Sequence, residues 1–363
     1  MTAFNRVVKV CAAAMAMAAF GVMSAPSAVA QDRIDDGQWY HSLLRTSAAH
    51  RVTQGAGVTV AVIDTGVDAT HPDLAGAVLP GADFTDAGPG DGWLDTDGHG
   101  TAMAGLIAAH GRVTGVAPAA RILPVRMDSG GDLARGILWA VEQKVGVISI
   151  SRMLLDEDIV VRQAVEEALA ADIVVVAGTG NRTESTTMSY LARIRGVVAV
   201  GGVDRAGNHS AISVSGAETL LAAPCDEVSS TYPGGEWAVA TGTSNSTALV
   251  AGAAALVRAR FPNMPAAEVV HRLVATAIDK GFRGPDGEYG HGLIDIAGAL
   301  TKNVSPFSPS PSPSPSDGSA TTSSGQAGPG SSAPWKRVLI PAVVGLVVVS
   351  VVLGIGFLSR RRS

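Results

Sequence analysis

Short runs of almost nothing but apolar residues recur through the middle of this chain, each followed by a turn and a helix-period stretch. Val58-Thr59-Val60-Ala61-Val62-Ile63 ends at Asp64, and Arg121-Ile122-Leu123-Pro124-Val125 follows a Gly-Val-Ala-Pro turn. Val145 to Ile150, Ile173 to Ala177 and Val197 to Val200 repeat the form. A strand apolar at every position has both faces covered, as in a parallel sheet. Amphipathic stretches lie between the runs, at Leu133 to Lys144 and Ile159 to Ala171. This alternation predicts an α/β fold: a doubly wound, mostly parallel sheet with helices on both faces. Ser246 to Arg260 is apolar nearly all round and predicts a buried helix. Function in such a sheet sits at the carboxyl ends of the strands.

The two ends of the chain read differently. Arg6 and Lys9 precede an apolar run from Val10 to Met23, and Ala28-Val29-Ala30 has the small-x-small form of a cleavage site. Residues 1–30 are therefore expected to be a signal peptide. Val338 to Leu358 carries no charge and is long enough to span a bilayer. Trp335, Lys336 and Arg337 precede it and Arg360, Arg361 and Arg362 follow. The expectation is one transmembrane helix at 338–358 with a cytoplasmic basic tail at 359–363. The protein would then be a single-pass cell-membrane protein, held in the membrane by its C-terminal helix with its folded part extracytoplasmic. Residues 303–335 are a Ser/Pro tract and then a Ser/Gly tract, with little to bury, and read as a spacer.

About 270 residues remain between these segments, enough for one α/β domain. They divide into an N-terminal extension at 31–50, too short to fold alone, and a domain at 51–302. The extension is expected to wrap along that domain. The net charge of −5, without a basic patch, excludes nucleic acid as a partner. Of the two cysteines, Cys11 leaves with the signal peptide, and Cys225 reads as a buried free thiol rather than an intermolecular bridge.

Four polar residues fall at strand ends or helix starts of the predicted sheet. Asp64 ends a buried run. His99 follows a Gly-rich turn and opens a helix of small residues. Asn181 ends Val-Val-Val-Ala-Gly-Thr-Gly-Asn. Ser244 stands at a Gly turn opening a helix, where the positive end of the dipole steadies developing negative charge. Each is weak alone; together Asp, His, Asn and Ser arrive in an order that one mechanism needs.

These segments resemble the subtilisin-like serine proteases, in which Asp, His and Ser follow one another in that order. VAVIDTGVDATHPDL resembles the family's aspartate segment, DGHGTAMAGLIAA its histidine segment, VVVAGTGN its oxyanion segment and GTSNSTALVAGAAAL its serine segment. GVAPAARILPVR and YGHGLIDIAGAL resemble flanking structural segments, so the likeness runs from about Trp39 to Leu300. It implies that Ser244 attacks a peptide carbonyl, His99 moves the proton, and Asp64 orients the imidazole. Asn181 would hold the oxyanion. Ser151, Arg152 and Met153 on one side, and Gly178 and Gly180 on the other, would line the substrate pocket. The implied substrate is a protein or peptide, and no metal or cofactor is expected. Asp95-Thr96-Asp97-Gly98 reads as turn chemistry rather than a calcium loop.

The chain departs from the family at two places. Ala248 stands where the serine segment usually has proline, leaving the helix start less constrained. Ser151-Arg152-Met153 stands where the pocket usually has Ser-Leu-Gly, and a methionine in place of glycine adds bulk. Within the family the architecture is similar to the mycosins, membrane-anchored proteases associated with type VII secretion. That likeness implies a place beside a secretion machinery, and the four intact catalytic positions imply an active endopeptidase, expected to be narrow in its substrates. The two departures leave open a catalytically weak scaffold that stabilises a membrane secretion complex.

Overall fold

The computed structural model describes residues 33–86, 88–127 and 130–307. The expected signal peptide, most of the linker, the transmembrane helix and the basic tail lie outside these residues. Two short helices, α1 (Tyr40–Leu44) and α2 (Thr46–His50), precede strand β1 (Thr59–Asp64), the short β2 (Ala82–Asp83) and helix α3 (His99–Ala108). Then follow β3 (Arg121–Arg126), α4 (Gly130–Glu142), β4 (Val147–Ile150), α5 (Ile159–Ala170), β5 (Val174–Gly178) and α6 (Tyr190–Arg193). The remainder is β6 (Val198–Val203), β7 (Leu221–Pro224), the hairpin strands β8 (Val228–Tyr232) and β9 (Glu236–Ala240), α7 (Thr243–Arg260), α8 (Ala266–Thr276) and α9 (Ile296–Thr301).

The first seven strands form one sheet in the order β2-β3-β1-β4-β5-β6-β7. Every pairing in it is parallel. The five apolar runs supply β1, β3, β4, β5 and β6. The strand period of two divides their side chains between two cores. Val60, Val62, Ile122, Val147, Val174 and Val176 meet α3 and α7 on one face. Ala61, Ile63, Leu123, Val125, Ile148 and Val175 meet α4 and α5 on the other. Continuing that alternation, Asp64 falls on the face of Val60 and Val62, where α3 and α7 pack. The aspartate and the helices that begin at His99 and Thr243 are thereby brought to one side of the sheet.

Helix α7 reaches the sheet because its residues are small and wholly buried from Asn245 to Val257. Its polar side chains are satisfied locally, as burial requires. Ser246 Oγ donates to the carbonyls of Ala223 and Pro224, and Thr247 Oγ1 to that of Thr243. Asn245 Nδ2 donates to Cys225 O and Ala240 O, both at 3.0 Å. The helix begins at Thr243 with Ala248 buried inside it. The start is therefore held by side chains on both flanks.

The N-terminal extension is stitched along the domain, away from the carboxyl edge of β1. Gln38 donates through Nε2 to Arg112 O and accepts from Thr114 N, both at 3.1 Å. Trp39 Nε1 donates to Asp226 O, Tyr40 OH to Thr114 O, and Gly37 O accepts from Ser229 N.

Helix α3 lies so close to the turn after β1 that a Cβ on Gly100 would meet Gly66 O at 2.0 Å. Backbone cannot yield as a side chain does, so Gly100→Val is expected to lower stability by about 1–3 kcal/mol. Urea denaturation would show this as a fall in midpoint; an unchanged midpoint would mean the two segments are not packed as described.

Candidate active site

The aspartate, the histidine helix and the turn before it are tied into one unit by a carboxylate that the sequence motifs do not flag. Buried Asp95 accepts through Oδ1 from Thr65 Oγ1 (2.9 Å), Asp97 N (3.1 Å) and Gly98 N (2.8 Å). Its Oδ2 accepts from Thr101 N and from Thr101 Oγ1 (2.6 Å). Thr65 Oγ1 in turn accepts from Gly100 N. The residue beside Asp64 is thus bound to both ends of the turn that presents His99. Oδ1 closes the 95–98 turn through the Asp97 and Gly98 N–H groups, and Oδ2 serves the first turn of α3.

Across this frame His99 Nδ1 meets Asp64 Oδ1 at 2.7 Å. The same oxygen accepts from Thr65 N at 2.8 Å. Asp64 is buried, while the His99 side chain is 34 % exposed and opens into a cleft. Desolvation acts first, pulling the imidazole below its ordinary value. The charge and hydrogen bond of Asp64, with Asp97 adding to them, more than offset it, so the net shift is upward; Arg152 opposes it.

Ser244 lies in the first turn of α7, where backbone N–H groups have no intrahelical acceptor. Its hydroxyl donates to Ser151 O at 3.1 Å, and Ser151 Oγ donates to Ser244 O at 3.2 Å. Asn181 reaches the same helix start: its Oδ1 accepts from Thr243 N at 3.0 Å and from Thr243 Oγ1 at 3.2 Å. With the oxygen so held, Nδ2 takes the opposite side and donates to Glu184 Oε1 at 2.8 Å. Among the described residues no hydrogen bond joins Ser244 Oγ to His99.

All nine residues singled out from the sequence line one cleft of about 590 Å³: Asp64, His99 and Ser244, Asn181, Ser151, Arg152 and Met153, Gly178 and Gly180. Gly178 lets the α7 start settle on β5, since a Cβ there would meet Thr247 Oγ1 at 2.9 Å. Met153 lies across the facing segment: a Cβ on Gly180 would stand 2.8 Å from its Sδ. The gap between the two pocket walls is narrowed by that thioether. No residue from 33–50 lines the cleft. Glu184 and Asp97 do line it, and the sequence reading missed both. Glu184 N donates to Asn181 O, closing an i, i+3 turn. An acid three residues after a candidate amide donor was the available signal.

Residues 55–292 match the subtilase family (Peptidase_S8), and the chain belongs to that family. It is a subtilisin-like serine protease. It is 38 % identical to subtilisin DY of Bacillus licheniformis over 259 residues, which is 68 % of this chain and 92 % of that protein. Subtilisin BL of Lederbergia lenta is 37 % identical over 271 residues, 72 % of this chain and 97 % of the relative. Among solved structures the fold is similar to MycP1 with its N-terminal propeptide removed (TM-score 0.67, 30 % identity, 74 % of this chain and 98 % of that one). It is also similar to the MycP3 protease from the type VII (ESX-3) secretion system (TM-score 0.64, 32 % identity, 73 % and 88 %).

Cys225 is buried and unbridged, and burial pushes its thiol well above the ordinary range. It should resist alkylation in the folded protein and react on denaturation. His99 should titrate above the ordinary histidine value. Asp97→Asn should lower that midpoint and Arg152→Gln raise it further. NMR titration of the imidazole C–H resonances would read both shifts, and movement in the same direction would contradict the charge assignment.

Proposed function

We propose that this protein is an endopeptidase of narrow specificity that works through Asp64, His99 and Ser244 with an acyl-enzyme intermediate. The observation that carries this is the 2.7 Å bond from His99 Nδ1 to Asp64 Oδ1, at the wall of a cleft that also holds Ser244 and Asn181. With Nδ1–H committed to the carboxylate, Nε2 is the basic nitrogen available to a hydroxyl. Asp64 fixes that tautomer and stabilises the imidazolium once it forms.

The serine hydroxyl begins elsewhere, on Ser151 O. A substrate laid along residues 151–153 as an extra strand brings its own backbone N–H to that carbonyl. The hydroxyl then turns about χ1 toward His99, consistent with the loose catalytic hydrogen bonds of enzymes without substrate. Ser244 Oγ attacks the carbonyl carbon, His99 Nε2 takes the proton, and negative charge gathers on the carbonyl oxygen. Asn181 Nδ2 and the Ser244 N–H receive that charge. The imidazolium returns the proton to the leaving amine, and water repeats the sequence to free the acid.

Narrow specificity is supported by Met153 against Gly180. Membrane attachment is supported by the apolar segment 338–358 behind the Ser/Pro/Gly spacer, with the folded part extracytoplasmic and the C-terminus cytoplasmic. An association with a type VII secretion machinery is supported by the likeness to MycP1, described as an essential component of the ESX-1 system.

A fluorophosphonate probe is expected to label the full chain, and Ser244→Ala and His99→Ala to abolish labelling. Asn181→Ala should lower kcat by about 100- to 1,000-fold, as removal of the corresponding donor does in a subtilisin. No labelling of the folded wild type would overturn the hydrolytic reading in favour of a scaffold.

A further inference from the structure

We propose that Glu184 makes this enzyme selective for substrates carrying a basic side chain next to the scissile carbonyl, because its carboxylate holds the oxyanion donor Asn181 until a cation draws it away. The proposal rests on the hydrolytic reading above and gives it a substrate class.

The geometry is specific. Thr243 fixes the oxygen end of the Asn181 amide by two hydrogen bonds, so its nitrogen end faces the cleft. There Glu184 Oε1 takes it at 2.8 Å. The amide stabilises developing negative charge only as far as its N–H bonds are directed at it. A carboxylate already bound to that nitrogen claims one of them. It also places a like charge beside the oxyanion, which opposes the charge build-up. Unaided, Glu184 penalises the step that Asn181 promotes.

A cation reverses the effect. Among the described residues Glu184 forms no ion pair with a protein cation. The nearest arginine in sequence is committed elsewhere: Arg182 Nε donates to Ser213 O and its Nη2 to Ser215 Oγ. Glu184 is exposed at the cleft wall, where a substrate can reach it. A lysine or arginine side chain there forms a charge-assisted pair with the carboxylate, cancels its charge and releases the amide to the carbonyl oxygen. Met153 reinforces the choice. A slot narrowed by its thioether suits an unbranched methylene stem with its charge at the tip better than a branched or aromatic side chain.

The test uses the full chain and matched fluorogenic peptides with Lys, norleucine or Glu at each position flanking the cleaved bond. Wild type is expected to favour Lys over norleucine in kcat/KM by about tenfold or more. Glu184→Gln should bring that ratio to within about twofold. It should do so partly by raising kcat on the norleucine peptide, which loss of simple charge attraction would not do. Glu184→Lys should shift preference toward Glu. An unchanged Lys-to-norleucine ratio in Glu184→Gln, or no Lys preference in wild type, overturns the proposal. Fluorophosphonate labelling of the same preparations separates the two levels. Labelled enzyme without Lys preference refutes Glu184 alone, while unlabelled, inert wild type refutes the hydrolytic reading and the proposal with it.

Discussion

The end of β1 and the start of α3 approach so closely that no side chain fits between them at position 100. Most of the site depends on this contact. It sets the separation of Asp64 and His99, and Asp95 and Thr65 hold it by hydrogen bonds from both segments. Neither Asp95 nor Thr65 bonds His99's ring, yet together they determine where the imidazole stands. The buried carboxylate is tolerated because both its oxygens are fully engaged, whereas an unengaged one would carry a large desolvation cost. The same logic holds at α7, where Asn245, Ser246 and Thr247 bond backbone carbonyls, allowing a helix with polar residues to seat against an apolar sheet.

The central strands and α7 are legible in the sequence because they are apolar nearly throughout, as burial on every side requires, and α4 and α5 because their apolar residues recur at the helix period on one buried face. β2 is two residues long and carries no pattern to read. The β8–β9 hairpin mixes buried hydroxyls with exposed residues; Ser230 and Thr231 point inward because α3 carbonyls await them, a reason that lies elsewhere in the chain. At the site, Asp64, His99, Asn181 and Ser244 are readable from local motifs at strand and helix ends. Glu184 shows locally only as an acid three residues after Asn181, while its bond to the amide depends on the direction of one N–H, and Asp95 reads locally as a turn residue. What sequence cannot supply in such cases is orientation: residue type gives the donors and acceptors, and only packing says which of them meet.

The resting arrangement joins two features usually considered separately. The Ser244 hydroxyl donates to Ser151 O, and the Asn181 amide to Glu184. Both are satisfied hydrogen bonds; in the mechanism proposed above a substrate replaces them with its own groups, so ground-state binding and activation draw on the same contacts. Selectivity in such a site comes from the difference between what a substrate displaces and what it restores.

The N-terminal extension gives this arrangement a wider reach. Gln38 bridges Arg112 O and Thr114 N, in the loop leaving α3, while His99 stands at the other end of the same helix. Residues near 38 and the cleft that holds His99 are thereby joined through one helix of ten residues. Local opening at one end is felt at the other, and the two should belong to a single cooperative unit in native-state exchange. Seen this way the extension is a keel: it steadies, from outside the cleft, the helix that carries His99.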